Sequence, residues 1–120
     1  MANYRIGIIG HTGRGNYGHG IDTVWARVPN CEVVAVSDPN EAGRAAAQKR
    51  LEANQAYSDY RKMLADEQLD IVAICPRWLD QHHDMVLEAA EGGLHIYMEK
   101  PFCRTLADAD AMVAACEQNQ

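Results

Sequence analysis

Short runs of apolar residues, rich in Val and Ile, alternate along this 120-residue chain with longer stretches that have helical spacing. The short runs are nearly continuous in apolar residues, which is typical of parallel strands covered on both faces. An alternation of this kind predicts an α/β fold. Strands are predicted at 4–9, 32–36, 71–75 and 94–98, with a weaker one near 56–57, and helices at 20–28, 41–53, 60–65, 79–91 and 105–117.

Five strand–helix units joined by right-handed crossovers favour a doubly wound parallel sheet, Rossmann-like and three-layered, with strand order 3-2-1-4-5. The length of the chain predicts that residues 1–120 form one domain. Sheets of this type usually have six strands, whereas this chain ends at Gln120 inside a helical pattern. We therefore expect a piece of a longer protein, truncated before the sixth strand and without its second domain.

Charge and hydrophobicity exclude two classes of partner. The chain has 11 Lys and Arg against 17 Asp and Glu, a net charge of −6, and its basic residues are scattered, so nucleic acid is not an expected partner. Apolar runs such as 71–75 are far shorter than the roughly 20 residues that cross a bilayer, so no membrane partner is expected. The N-terminus lacks a cleavage-like site, which favours a cytoplasmic location.

The four cysteines form no Cys-x-x-Cys pair, and we expect reduced thiols. A reactive role for Cys103 is the alternative to a structural one. His82 and His83 are adjacent, so on a helix they point in different directions, and no acidic partner is evident. We therefore predict no metal site.

A glycine-rich segment, residues 10–20, follows the first predicted strand and holds five glycines. Glycines let the backbone come close to a pyrophosphate, and free N–H groups at a helix start can bind it. Gly13, Gly15 and Gly18 match the Gly-x-Gly-x-x-Gly fingerprint, and Gly10 directly follows the strand, so the loop is longer than usual. These glycines are predicted to bind a dinucleotide cofactor; a mobile turn without a ligand is the alternative.

Asp38 ends the second predicted strand, 20 residues after Gly18. An acid there can bind the adenosine ribose and repel a 2′-phosphate, which favours NAD over NADP. Arg14 and Arg44 could instead meet a 2′-phosphate, so NADP stays possible. A helix cap, shared with Asn40, is the structural alternative for Asp38. A methyltransferase would carry its acid just before the first glycine, where this chain has Ile9.

Two further segments bear on the family. Pro76 follows the fourth predicted strand and is followed by His82, and Glu99-Lys100-Pro101 comes directly after the fifth. Together with the glycine loop, Asp38 and the stretch 89–96, they resemble the N-terminal nucleotide-binding domain of the glucose–fructose oxidoreductase / inositol dehydrogenase / rhizopine catabolism (Gfo/Idh/MocA) family. The spacing from Pro76 to His82 is six residues, where the family commonly has four.

The resemblance implies an NAD(P)-dependent oxidoreductase that transfers hydride between a nicotinamide cofactor and a sugar, cyclitol or related polyol. It implies that Lys100 lies near the nicotinamide and the reacting carbon, and that a histidine comes from a second domain. The cofactor contacts carried over are Gly10, Gly13, Arg14, Gly15, Gly18, Asp38, Pro76, His82, Glu99, Lys100 and Pro101. Assembly in the family runs largely through the second domain, so a homo-oligomer is expected only at full length.

A position for Lys100 at the ligand site also follows from physical reasoning, because loops beyond the carboxyl ends of parallel strands line the ligand crevice. An ammonium group there can stabilise the alkoxide that develops as hydride leaves. A solvated surface lysine is the alternative, and the sequence leaves the isomer of the Lys100-Pro101 bond open.

The chain alone is expected to bind cofactor weakly and to turn over nothing. The rival function is a non-catalytic nucleotide-binding or sensor module, which has no need for Lys100.

Overall fold

The computed structural model describes residues 3–119, which form five strands and four α-helices. The strands are β1 Tyr4–Ile9, β2 Cys31–Ser37, β3 Gln55–Tyr57, β4 Ile71–Ile74 and β5 His95–Met98. The α-helices are α1 Glu41–Leu51, α2 Tyr60–Asp66, α3 His82–Glu91 and α4 Leu106–Asn119, and short 3₁₀ helices span Val24–Arg27 and Leu79–Gln81. All five predicted strands are confirmed, with ends that differ by at most one residue.

The strands form one parallel sheet in the order β3-β2-β1-β4-β5, which confirms the predicted topology. In the register of this sheet, Ile9 lies beside Ser37 on one side and beside Ile74 on the other. Met98 pairs with Ile74 in turn. The carboxyl ends of β2, β1, β4 and β5 therefore meet at one edge, where the loops that follow these strands can share a site.

Side chains of the sheet alternate between two apolar clusters, one on each face. Ile6, Ile8 and Val36 pack with Ala47 of α1 on the first face. On the second face Ile9, Val34 and Ile74 pack with methionines of the other three helices, Met63, Met85 and Met112, all at most 2% exposed. The sheet is thus covered on both faces, and this explains why its strands are nearly continuous in apolar residues.

The predicted helix at 20–28 is wrong: this part of the chain forms turns and then a 3₁₀ helix at Val24–Arg27. Gly18 and Gly20 both adopt positive φ, 69° and 89°, which an α-helix does not allow. The backbone bonds that follow, such as Ala26 N–H to the Thr23 carbonyl, are mainly of the i to i+3 kind. Pro29 then ends the segment, so too few residues remain for α-helical turns.

Other helix ends follow from capping. The Asn40 side chain accepts a hydrogen bond from the Gly43 N–H at 2.8 Å and begins α1, which ends where Glu52 adopts a left-handed φ of 55°. The Thr105 hydroxyl accepts a hydrogen bond from the Asp108 N–H at 3.0 Å at the start of α4. Within residues 3–119, no helix has the length and apolar character needed to cross a membrane.

Candidate functional site

Residues predicted to bind a ligand lie together at the carboxyl edge of the sheet. Gly10 directly follows β1, Asp38 follows β2, and Glu99 follows β5. Pro76 lies two residues beyond β4 and is buried. The glycine-rich segment, residues 10–20, lies across this edge, because it contacts residues that follow β2, β4 and β5.

The glycine-rich segment begins as a tight hairpin. The N–H of His11 donates to the Asn16 carbonyl at 3.2 Å, and the Asn16 N–H donates back to the His11 carbonyl at 3.0 Å. Between them Gly13 and Gly15 adopt φ of 88° and 93°, a region that favours glycine. A Cβ at Gly13 would meet no atom within 4 Å, so the tip of the hairpin is open to a ligand.

Gly10 makes room for a side chain of the same segment. A Cβ on Gly10 would overlap the ring of Tyr17, which folds over the end of β1. The Tyr17 hydroxyl donates to Oδ2 of Asp38 at 2.8 Å. Burial, together with this hydrogen bond, raises the pKa of Tyr17 far above its usual range, so the phenol stays a donor.

Asp38 is completely buried, and its carboxylate binds the glycine-rich segment. It accepts hydrogen bonds from the Thr12 N–H at 3.1 and 3.2 Å and from the Thr12 hydroxyl at 2.6 Å, in addition to the one from Tyr17. The Asn40 N–H donates to Oδ1 at 2.9 Å, and Arg44 donates to the main-chain carbonyl of Asp38 at 3.0 Å. The acid therefore stands where the sequence predicted it and anchors the loop.

The tip of the hairpin is docked on the segment that follows β4. Arg14 pairs with Asp80 at 2.6 Å and lies 4.7 Å over the ring of Trp78, which is half exposed. The hydrogen bond from Arg14 lowers the pKa of Asp80. The Arg77 N–H donates to the Gly15 carbonyl at 3.1 Å, which closes the backbone contact between the two loops.

Glu99 anchors the other end of the segment. It is 6% exposed, and its Oε1 accepts from the His19 N–H and from Nδ1 of the His19 ring, the latter at 2.8 Å. The Lys100 N–H donates to Oε2 at 3.1 Å. Burial alone would raise the pKa of Glu99, but the hydrogen bonds from His19 and Lys100 outweigh it, so the pKa is lowered and the side chain is an anion.

The Lys100 turn is held by His82. Lys100 is exposed beside the sheet edge, and its bond to Pro101 is cis. The ring of His82 is completely buried: Nε2 lies 2.7 Å from the Pro76 carbonyl oxygen and Nδ1 2.9 Å from that of Pro101. His82 therefore links the segment after β4 to the turn after β5, and no part of it faces solvent.

A small cavity of about 120 Å³ opens beside the ends of β1 and β2. Ser37, which is 1% exposed, lines it, and its hydroxyl oxygen has no hydrogen-bond partner within residues 3–119. A buried hydroxyl without a partner costs free energy unless a ligand or water satisfies it. The cavity thus offers a polar contact beside Asp38.

The structure therefore gathers the predicted residues in two groups. Gly10 and Asp38 lie toward β2, while Gly18, Glu99 and Lys100 lie toward β5. Sequence reasoning left out side chains that hold these groups in place, namely Thr12, Tyr17 and Asp80. Their partners are distant in sequence, such as Asp38 for Tyr17, so no spacing rule could have found them.

Comparison with known proteins gives consistent matches over this fold. A family model described as an oxidoreductase family with an NAD-binding Rossmann fold matches residues 4–120. D-apiose dehydrogenase of Paraburkholderia graminis is 39% identical over 94 residues, which are 78% of this chain and 25% of that protein. Myo-inositol 2-dehydrogenase of Thermotoga maritima is 30% identical over 113 residues, 91% of this chain and 31% of that protein.

Solved structures of dehydrogenases also match the fold of this chain. A probable dehydrogenase from Thermotoga maritima matches with a TM-score of 0.81 at 28% identity and covers 96% of this chain. A levoglucosan dehydrogenase in complex with NADH and L-sorbose matches with a TM-score of 0.83 at 26% identity and covers 99%. In each case the chain spans 33% of the matched chain. The chain is thus about a third as long as these relatives.

Gly15→Ala should destabilise the protein more than Gly13→Ala. Both positions have positive φ, so an alanine costs about 1–2 kcal/mol at either. Only at Gly15 would the new Cβ meet backbone, 2.5 Å from the Arg77 nitrogen, so about 3 kcal/mol or more is expected there. Urea unfolding of the two variants measures the difference; equal losses would contradict the docked arrangement of the loops.

Glu99→Gln should make the thermal stability of the protein less dependent on pH in the acid range. Since the folded-state pKa of Glu99 lies below its unfolded value of about 4.3, its anionic hydrogen bonds stabilise the fold above that pH. This contribution is lost as the pH falls through the folded-state pKa. Thermal midpoints of the wild type should therefore drop more steeply below about pH 4.3 than those of the variant. Glu117→Gln, exposed on α4, is the control and should keep the wild-type profile.

Proposed function

The chain belongs to the Gfo/Idh/MocA oxidoreductase family, as the NAD-binding Rossmann domain, and from this premise we propose its function. We propose that it is the nucleotide-binding part of an NAD(P)-dependent oxidoreductase that transfers hydride between the cofactor and a sugar, cyclitol or related polyol. Relatives named as D-apiose and myo-inositol dehydrogenases support this substrate class. Residues 1–120 form one dinucleotide-binding domain in this proposal.

One observation carries the proposal: an open glycine tip, an anchored acid and an exposed lysine share the carboxyl edge of one sheet. A Cβ at Gly13 would meet no atom within 4 Å, so a phosphate can approach the loop there, next to the Arg14 guanidinium. Ser37 has a buried hydroxyl without a partner beside Asp38, which fits a ligand with polar groups at that end. These features fit a dinucleotide that lies along the edge, with its pyrophosphate at the glycine loop.

Each of the site residues has a task in this proposal. The glycine loop binds the pyrophosphate, and the charge of Asp38, with the Thr12 hydroxyl that it holds, favours ribose over a 2′-phosphate. Glu99 and His82 hold the Lys100 turn from two sides. The nicotinamide, when bound, gives or takes the hydride.

Lys100 is the proposed catalytic residue. Its ammonium group stabilises negative charge on the substrate oxygen and exchanges a proton with it. Pro76 and Pro101 shape the crevice beside it. A second domain, expected from the greater length of the relatives, completes the substrate site and supplies a further acid/base group. The cytoplasmic location, and a homo-oligomer formed only at full length, are parts of the same proposal and rest on the sequence.

Calorimetric titration at low salt should show tighter binding of NADH than of NADPH by this chain. Asp38→Asn keeps the shape of the side chain but removes its charge, so the preference for NADH should fall about tenfold. Asp110→Asn, on the exposed surface of α4, is the matched control and should keep the wild-type preference. Failure of the wild-type chain to bind either nucleotide would contradict the proposed cofactor site.

The chain alone should not reduce NAD⁺ in the presence of D-apiose, myo-inositol or levoglucosan. Lys100, the proposed catalytic group, is exposed, and the proposal takes the remaining acid/base group and most of the substrate site from a second domain. The absorbance of NADH, followed over hours at high protein concentration, measures this. Polyol-dependent formation of NADH that disappears in Lys100→Ala would show that these residues suffice for turnover.

A further inference from the structure

His19 forms an imidazole–carboxylate pair with Glu99, and the proposed function gives His19 no task. Nδ1 of His19 lies 2.8 Å from Oε1 of Glu99, and the His19 N–H donates to the same oxygen. Glu99 is buried, with 7% of its side chain exposed, while the His19 side chain is 62% exposed. A buried anion thus holds an accessible ring in a defined place.

The pair fixes which ring nitrogen is available. An ionised carboxylate can only accept hydrogen bonds, so Nδ1 of His19 carries the proton that is donated to Glu99. Nε2 is then left as the free polar atom of the ring. Within residues 3–119 it makes no hydrogen bond to the protein. Its orientation is therefore imposed by a partner 80 residues away in sequence, an arrangement suited to binding a second molecule.

The position of the pair in the sheet indicates which part of a dinucleotide it meets. Asp38 follows β2 and Glu99 follows β5, and β1 and β4 lie between these strands. Three strand spacings put the two acids about 14 Å apart along the edge. With the adenosine ribose at Asp38, the other nucleoside lies at the β5 end, beside Lys100. His19 is next to Gly18, whose Cβ would overlap Glu99, so the ring stands where the glycine loop reaches that end.

We propose that His19 is a further cofactor-contacting residue, whose Nε2 hydrogen-bonds the nicotinamide nucleoside and whose ring is held in place by Glu99. This inference rests on the proposed function, since it needs a dinucleotide in the crevice. The competing explanation is that His19 only fastens the glycine loop to β5. Two amide substitutions separate the explanations, because each reproduces one nitrogen of the imidazole.

His19→Asn places an amide nitrogen where Nδ1 stands and has nothing at Nε2. His19→Gln places its amide nitrogen where Nε2 stands and has no donor at Nδ1. Calorimetric titration of the 120-residue chain and both variants with NADH, and separately with ADP, is the experiment. ADP lacks the nicotinamide nucleoside, so it reports on the glycine loop and the adenosine end alone.

We expect His19→Asn to bind NADH about tenfold more weakly, as for one lost hydrogen bond, while His19→Gln stays within about threefold of the wild type. ADP affinity should be unchanged in both. The opposite order, with Asn retaining NADH affinity and Gln losing it, would show that His19 acts only as a fastener, and so would an equal loss of ADP affinity. In either case NADH binding by the wild type would leave the proposed function standing; no binding of either nucleotide would overturn both.

A second measurement does not depend on the variants. The side-chain ¹⁵N and Cε1-proton resonances of His19 should shift when NADH is added to the wild-type chain and should not shift with ADP. Resonances that respond equally to the two nucleotides, or to neither, would overturn the contact.

Discussion

The buried carboxylate of Asp38 is the interaction on which the ligand-binding side of this molecule depends. A charge without solvent exposure is tolerated only when donors surround it, because an unpaired buried anion costs several kcal/mol. Thr12 and Tyr17 supply those donors, and both belong to the glycine-rich segment. A segment with five glycines has much conformational freedom, yet these bonds select one arrangement of it over the end of β1.

Glu99 repeats this principle at the opposite end of the segment. Its hydrogen bonds from His19 tie the last part of the loop to the end of β5, while a Cβ at Gly13 would meet no atom within 4 Å. The loop is thus fixed at both ends and docked at Arg14 and Gly15, with open space beside Gly13. For a ligand with two nucleosides and a central pyrophosphate, such a loop presents polar groups at both ends and backbone at the centre.

The loops that line the crevice are also joined to one another. His82, buried between carbonyls of Pro76 and Pro101, links the loop after β4 to the Lys100 turn, and the Arg14–Asp80 ion pair links the same loop to the glycine tip. The relatives that this chain matches are about three times as long as the chain.

Sequence alone determined the α/β class, the strand order and the residues at the strand ends, since apolar periodicity and right-handed crossovers leave few alternatives. It was wrong about the helix at 20–28, because propensity did not reveal that Gly18 and Gly20 adopt positive φ. It placed Asp38 and Glu99 at the edge, but only the tertiary structure decided that both are buried and bonded to the glycine loop. Burial and partner choice depend on contacts between residues 21 to 80 positions apart, and no local pattern encodes those.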